Sequence, residues 1–193
     1  MNWYFILVVL HIVGTALGVG AVTVGEALFF RALKNKRIDE SMVETLKTVS
    51  QIVWVGLSVL FFSGAFFFVV YRLGAPERLD LAFSSKFWIK MLIVGVLSAN
   101  GVFMHFKTIP ALERLAREGG KLSSPLFQKY AWQFFASGAI SFTSWYGALA
   151  LGAARNFPLT FWQALVVYIL ILAFAIGVSQ MICRRVLDSL SRS

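Results

Sequence analysis

Apolar residues do not alternate with polar ones along this chain. They come in five long runs separated by short polar stretches: about 3–33, 46–71, 87–106, 130–154 and 160–182. Each run reaches the ~20 residues that an α-helix needs to cross a bilayer. None shows the ~10-residue alternation of a membrane barrel strand. The pattern therefore predicts an all-α integral membrane bundle of five transmembrane helices. One domain over residues 1–193 is expected, because the polar stretches are too short to fold alone and no run repeats another.

The polar stretches carry boundary signals. In "RIDESMVETLK", Asp39 or Ser41 can cap a helix, and Ser41 with Glu44 has capping-box spacing. The second helix is thus expected to begin before its apolar run. "RLGAPERLD" is a Gly/Pro break. "IPALERLAREGGKLSSP" reads as a short amphipathic helix begun near Pro110 and ended by Gly119-Gly120, and "NFPLT" separates the last two runs. The first run lacks a basic leader and is too long for a cleavable signal, so it is expected to remain.

Charge adds an orientation. Thirteen Lys and Arg flank one side of the five runs, from Arg31, Lys34, Lys36 and Arg37 to Arg184, Arg185 and Arg192; five lie on the other, Arg72, Arg78, Lys86, Lys90 and Arg155. Basic loops face the cytoplasm, which puts the N-terminus outside and the C-terminus inside. The formal net charge of +9 then reflects anionic lipid rather than nucleic acid, for which no basic-aromatic motif is present. Only 14% of residues are charged against 59% hydrophobic, far from a soluble domain. Cys183 is the single cysteine, so it forms no disulfide within the chain and reads as a small apolar residue. Phosphate-binding loops, dinucleotide fingerprints, nucleophile elbows and paired-His metal spacings do not occur.

Candidate chemistry rests on polar residues inside the runs, which are costly in a membrane and by default functional. At ~1.5 Å per residue, His11 and Lys90 fall in the outer half, while Glu26 and His105 fall near the inner edge. Asn100 lies mid-run and suits an interhelical hydrogen bond. Glu26 has Arg31, His105 and Lys107 within reach as partners at the interface. His11 and His105 differ by ~15 Å in depth, too far for both to ligate one haem iron. Gly14, Gly18 and Gly25 share a flank with His11 at helical spacing. That stripe would admit either a flat ring or a neighbouring helix, as "GTALG" commonly does. Ser137, Ser141, Ser144 and Ala148 form a similar small-residue series on the fourth run.

Three segments resemble a known group. "LHIVGTALGVGAVTVGEALFFRAL", "LKTVSQIVWVGLSVLFFSG" and "FWIKMLIVGVLSANGVFMHF" resemble the first three helices of HemJ-type protoporphyrinogen oxidases and CopD-like membrane proteins, over residues 5–106. The chain is also similar to small bacterial membrane proteins of undefined activity. The resemblance implies a bacterial cytoplasmic (inner) membrane and a bound haem b. It implicates His11 as the iron ligand and Lys90, with the Gly14 and Gly18 face seating the ring. The later third-helix histidine of those families is replaced near Asn100. Three readings stay open: a haem-binding or redox protein; a small ion or metal transporter or channel subunit using Glu26, His105 and His11; and a non-catalytic assembly partner, homo-oligomeric or bound to another membrane protein.

Overall fold

The structure is a computed structural model that describes residues 3–74, 84–154 and 157–191. The described residues are helical throughout their long elements. Among the described residues, five helices are long and apolar enough to cross a membrane. In order these are α1 (Trp3–Asn35), α2 (Glu40–Gly74), α3 (Ser85–Phe103), α5 (Pro125–Ala153) and α6 (Phe161–Ser191). Between the third and fourth lies α4 (Ile109–Arg117), joined to α3 without a break through a π turn at Met104–Thr108.

The starts follow local chemistry. The Asp39 carboxylate accepts the N–H of Met42 at 2.8 Å, so Asp39, not Ser41, caps α2. Ser84 and Ser124 accept from the N–H groups of Phe87 and Phe127, three residues on, at the starts of α3 and α5. The short amphipathic helix expected after the third run is present. It is not separate from that run, however, but its continuation. Pro110 explains the junction: inside a continuous helix its ring presses on the carbonyl four residues back. The backbone widens there by one residue, and Ile109 N–H bonds Met104 O. The break from Ala75 onward, together with Arg78, Arg155 and Arg192, lies outside the described residues.

The α1–α2 pair is the most intimate. A Cβ on Gly56 would stand 2.9 Å from both Gly14 O and Gly18 N, so the two backbones nearly touch. α5 packs against α6 through Ser144 Oγ and Tyr168 OH at 2.8 Å, and through Ser179 Oγ, which donates to Phe135 O at 2.7 Å. Two apolar cores result. One, at the basic end, gathers Ile38, Leu115, Leu122 and Phe127, with Cys183 buried among them. The other gathers Leu57, Ile89, Ile93, Leu97 and Trp145. At the basic end the α1–α2 turn is tied to the α4–α5 turn: Ile38 N–H donates to Gly120 O at 2.8 Å and Leu122 N–H to Lys36 O at 3.2 Å. A salt bridge between Lys47 and Glu113 at 2.6 Å joins α2 to α4 beside it. Outward, α6 exposes Trp162, Leu170 and Phe174, a surface suited to lipid rather than water.

Candidate functional site

The polar residues singled out in the sequence separate into two stations. The first is built around His11 on α1. Its Nδ1 lies 2.8 Å from Ser63 Oγ on α2. The Ser63 hydroxyl donates to Leu60 O at 3.2 Å, so its lone pair is left to accept Nδ1–H. In the tautomer in which Nδ1–H donates to Ser63, the Nε2 lone pair of His11 is open to a ligand or a proton. The imidazole meets Phe67 edge-on, with ring centroids 5.9 Å apart. Lys90 on α3 is close enough for its charge to act on His11, and Lys86 acts likewise on Lys90. Lys86 itself donates to Ala154 O at the end of α5. Among the described residues no hydrogen bond joins His11 to Lys90; His11 is held by Ser63 instead.

Gly14 and Gly18 face inward, and their flank is filled. A Cβ on Gly14 would meet Gly56 O and Leu60 at 3.0 Å, and one on Gly18 would run into the Trp145 ring. This flank does not fit a haem macrocycle, because α2 and an indole already occupy it. The stripe is a helix seam and a seat for Trp145.

The second station surrounds Glu26. The α1, α2, α3 and α5 helices, with the π turn and the start of α4, line a partly open cavity of about 110 Å³ between the two apolar cores. Glu26 lines it, together with Trp54, Trp145, Gly101, Thr108 and Gly138. The Glu26 carboxylate packs on Gly138, where a Cβ would stand 2.6 Å from Oε1. Among the described residues Glu26 forms no salt bridge; those present join Lys47 to Glu44 and Glu113. Nor does any side-chain hydrogen bond reach it. The Thr108 hydroxyl, 4% exposed and lining the same cavity, also has no partner. Asn100 donates to Ser137 O at 2.9 Å, the expected interhelical bond, and so braces α3 against α5 beside the cavity.

His105 is not brought to Glu26. It sits on the π turn, exposed, with its ring against Phe106. The expected partners Arg31 and Lys107 form no bridge to Glu26 either. Two tryptophans were not anticipated as site residues. Their position could have marked them: membrane tryptophans favour the interfaces, yet Trp54 and Trp145 stand well inside their runs. Gly138 and the orphaned hydroxyl of Thr108 carry no such signal.

Among the described residues there is no group of three His, Cys, Asp or Glu arranged to hold a metal ion. No family model, curated protein or solved structure matches the chain.

Proposed function

We propose that the protein is a multi-pass integral membrane protein, N-terminus outside and basic end in the cytoplasm, that binds and passes a small cation or proton through Glu26. The observation that carries this reading is a carboxyl group on the wall of a largely apolar, partly open cavity with no cationic side chain in its lining. A carboxylate partly withdrawn from water with no counter-charge is relieved by taking up a proton or a cation. Exchange of one for the other is the elementary act of a cation carrier.

The test is flux into liposomes containing the purified protein, followed with an internal pH-sensitive dye under an imposed cation gradient. Wild type should give protein-dependent flux. Glu26→Gln keeps the shape and removes the charge, and should lower the rate by more than about tenfold. Equal rates for the two proteins would overturn the reading.

A second reading attaches to His11, whose Nε2 is open in the tautomer that donates to Ser63. It makes His11 the ligand of a haem b iron, with Lys90 near enough to meet a propionate. The glycine flank of α1 is closed to that haem. Protein purified from haem-replete cells would show a near-stoichiometric Soret band that His11→Ala abolishes. A colourless wild-type protein would remove this reading.

A further inference from the structure

We propose that the occupant of the Glu26 cavity is a small alkylammonium ion, its charge on the Glu26 carboxylate and its methyl groups against the indoles of Trp54 and Trp145. This rests on the cation-binding reading of Glu26 and names the class of cation.

Coordination chemistry argues against a bare metal ion. Calcium takes six to eight oxygen ligands and zinc four strong ones. The cavity offers one carboxylate, and among the described residues no three His, Cys, Asp or Glu are grouped to hold a metal ion. Asn100 and Ser137 are engaged with Ser137 O and Phe134 O; Ser50, Thr108 and Ser141 also line the cavity, but neutral hydroxyls beside a single carboxylate fall short of the ligand sets that calcium and zinc take. A metal ion entering here would lose its water and gain too little in return.

An alkylammonium ion has the opposite needs. Its charge is spread over methyl groups and is weakly hydrated. It is held by one counter-charge together with aromatic faces, which attract cations through the ring quadrupole. The cavity has this composition: a single acid, two tryptophans, and walls otherwise dominated by aliphatic side chains such as Leu57 and Leu97. Trp145 is 1% exposed and braced by Gly18, so its ring is held in place but offers the cavity little surface, and Trp54, which is partly exposed, carries the larger share of the aromatic contact. Trp54 packs on Gly101, whose Cβ would stand 3.3 Å from the indole.

Glycine also makes the room. A side chain at Gly138 would press on Glu26 Oε1 and deny the carboxylate its position. At about 110 Å³ the cavity lies well below the ~300 Å³ at which pockets for drug-sized ligands begin, so the cation is small. Trp54 further borders an apolar groove between α1 and α2, lined by Leu7, Leu10 and Phe62. One indole thus separates the cavity from the lipid-facing surface, a suitable approach for an ion with an apolar skin.

The experiment is titration of the purified full-length protein in detergent with tetramethylammonium chloride at constant ionic strength, followed by tryptophan fluorescence and calorimetry. Sodium chloride and the neutral isostere tert-butanol serve as controls. Saturable binding of tetramethylammonium but not of tert-butanol is expected. Glu26→Gln should abolish it. Trp54→Phe and Trp145→Phe, which keep a ring with a weaker quadrupole, should each weaken it by roughly 2- to 30-fold. Glu26→Asp should retain measurable binding, which separates loss of charge from loss of fold. If sodium or proton flux depends on Glu26 while tetramethylammonium fails to bind, or binds equally in both Trp variants, the alkylammonium proposal is overturned and the cation-site reading survives. If neither depends on Glu26, both fall.

Discussion

Gly120→Ala should destabilise the folded protein by about 3 kcal/mol or more, the combined scale of a left-handed backbone penalty and an overpacked contact. Two independent causes act at this position. Gly120 has φ +69°, a conformation that disfavours any L-residue with a Cβ. The added methyl would also fall on the carbonyl oxygen of Ile38, which is backbone and has no rotamer to escape into. The substitution must therefore part the α4–α5 turn from the α1–α2 turn. Ile38 N–H and Lys36 O lose their partners, and the fully buried Ile38 and Leu122 lose the contact that shields them. The check is thermal unfolding in detergent beside Gly119→Ala. Gly119 also has positive φ, +94°, but a Cβ there meets nothing within 4 Å. That control carries the backbone cost alone. Equal losses in the two variants would show that the turns are not locked through Gly120.

Gly18→Ala should cost about 1–3 kcal/mol, as an insertion into a filled core does, and a specific partner should relieve it. A Cβ at Gly18 overlaps the outer ring of the Trp145 indole, with Cζ2 at 2.6 Å and the other atoms closer. Trp145 is too deeply buried to swing outward, so its ring would be driven toward the Glu26 cavity that it borders. Trp145→Phe removes the atoms that clash and leaves a void in the wild-type background. The two changes together should then be less harmful than the sum of each alone, with a coupling of about 0.5–3 kcal/mol in a double-mutant cycle. Strict additivity would mean that Gly18 and Trp145 do not share the space the structure gives them.

These two glycines also mark the limit of what the sequence discloses. The five helices were legible because twenty or more apolar residues in a row have few other ways to satisfy their backbone. The starts at Asp39 and near Pro110 were legible because caps and proline act locally. The role of Asn100 as an interhelical donor followed from its being an amide in the middle of an apolar run. What sits beside each residue did not follow. Gly14 and Gly18 on a helix wheel admit a ring or a helix equally, and only the position of α2 and of an indole some 127 residues further along the chain decides between them. His105 and Glu26 share a depth, yet depth says nothing of rotation about the axis. The π turn adds one residue just where His105 stands, and that residue is exposed while Thr108 is buried. Glu26 is read as a candidate from sequence because a carboxyl in an apolar run is costly. That it lacks a counter-charge is a fact of tertiary packing.

The tie between Ile38 and Gly120 also imposes a sequence of events on a chain made from its N-terminus. The α1–α2 hairpin emerges first, with Gly56 already able to close against Gly14 and Gly18, while Ile38 N–H and Lys36 O have only solvent to bond. Their partners lie beyond α3, the π turn and α4, and do not exist until all three have been synthesised. The hairpin can therefore close early but its basic turn stays unfastened until the third helix has been made. The latch at this end reports that α3 and α4 have arrived, and the α5 helix that completes the wall of the cavity begins directly behind it, at Pro125.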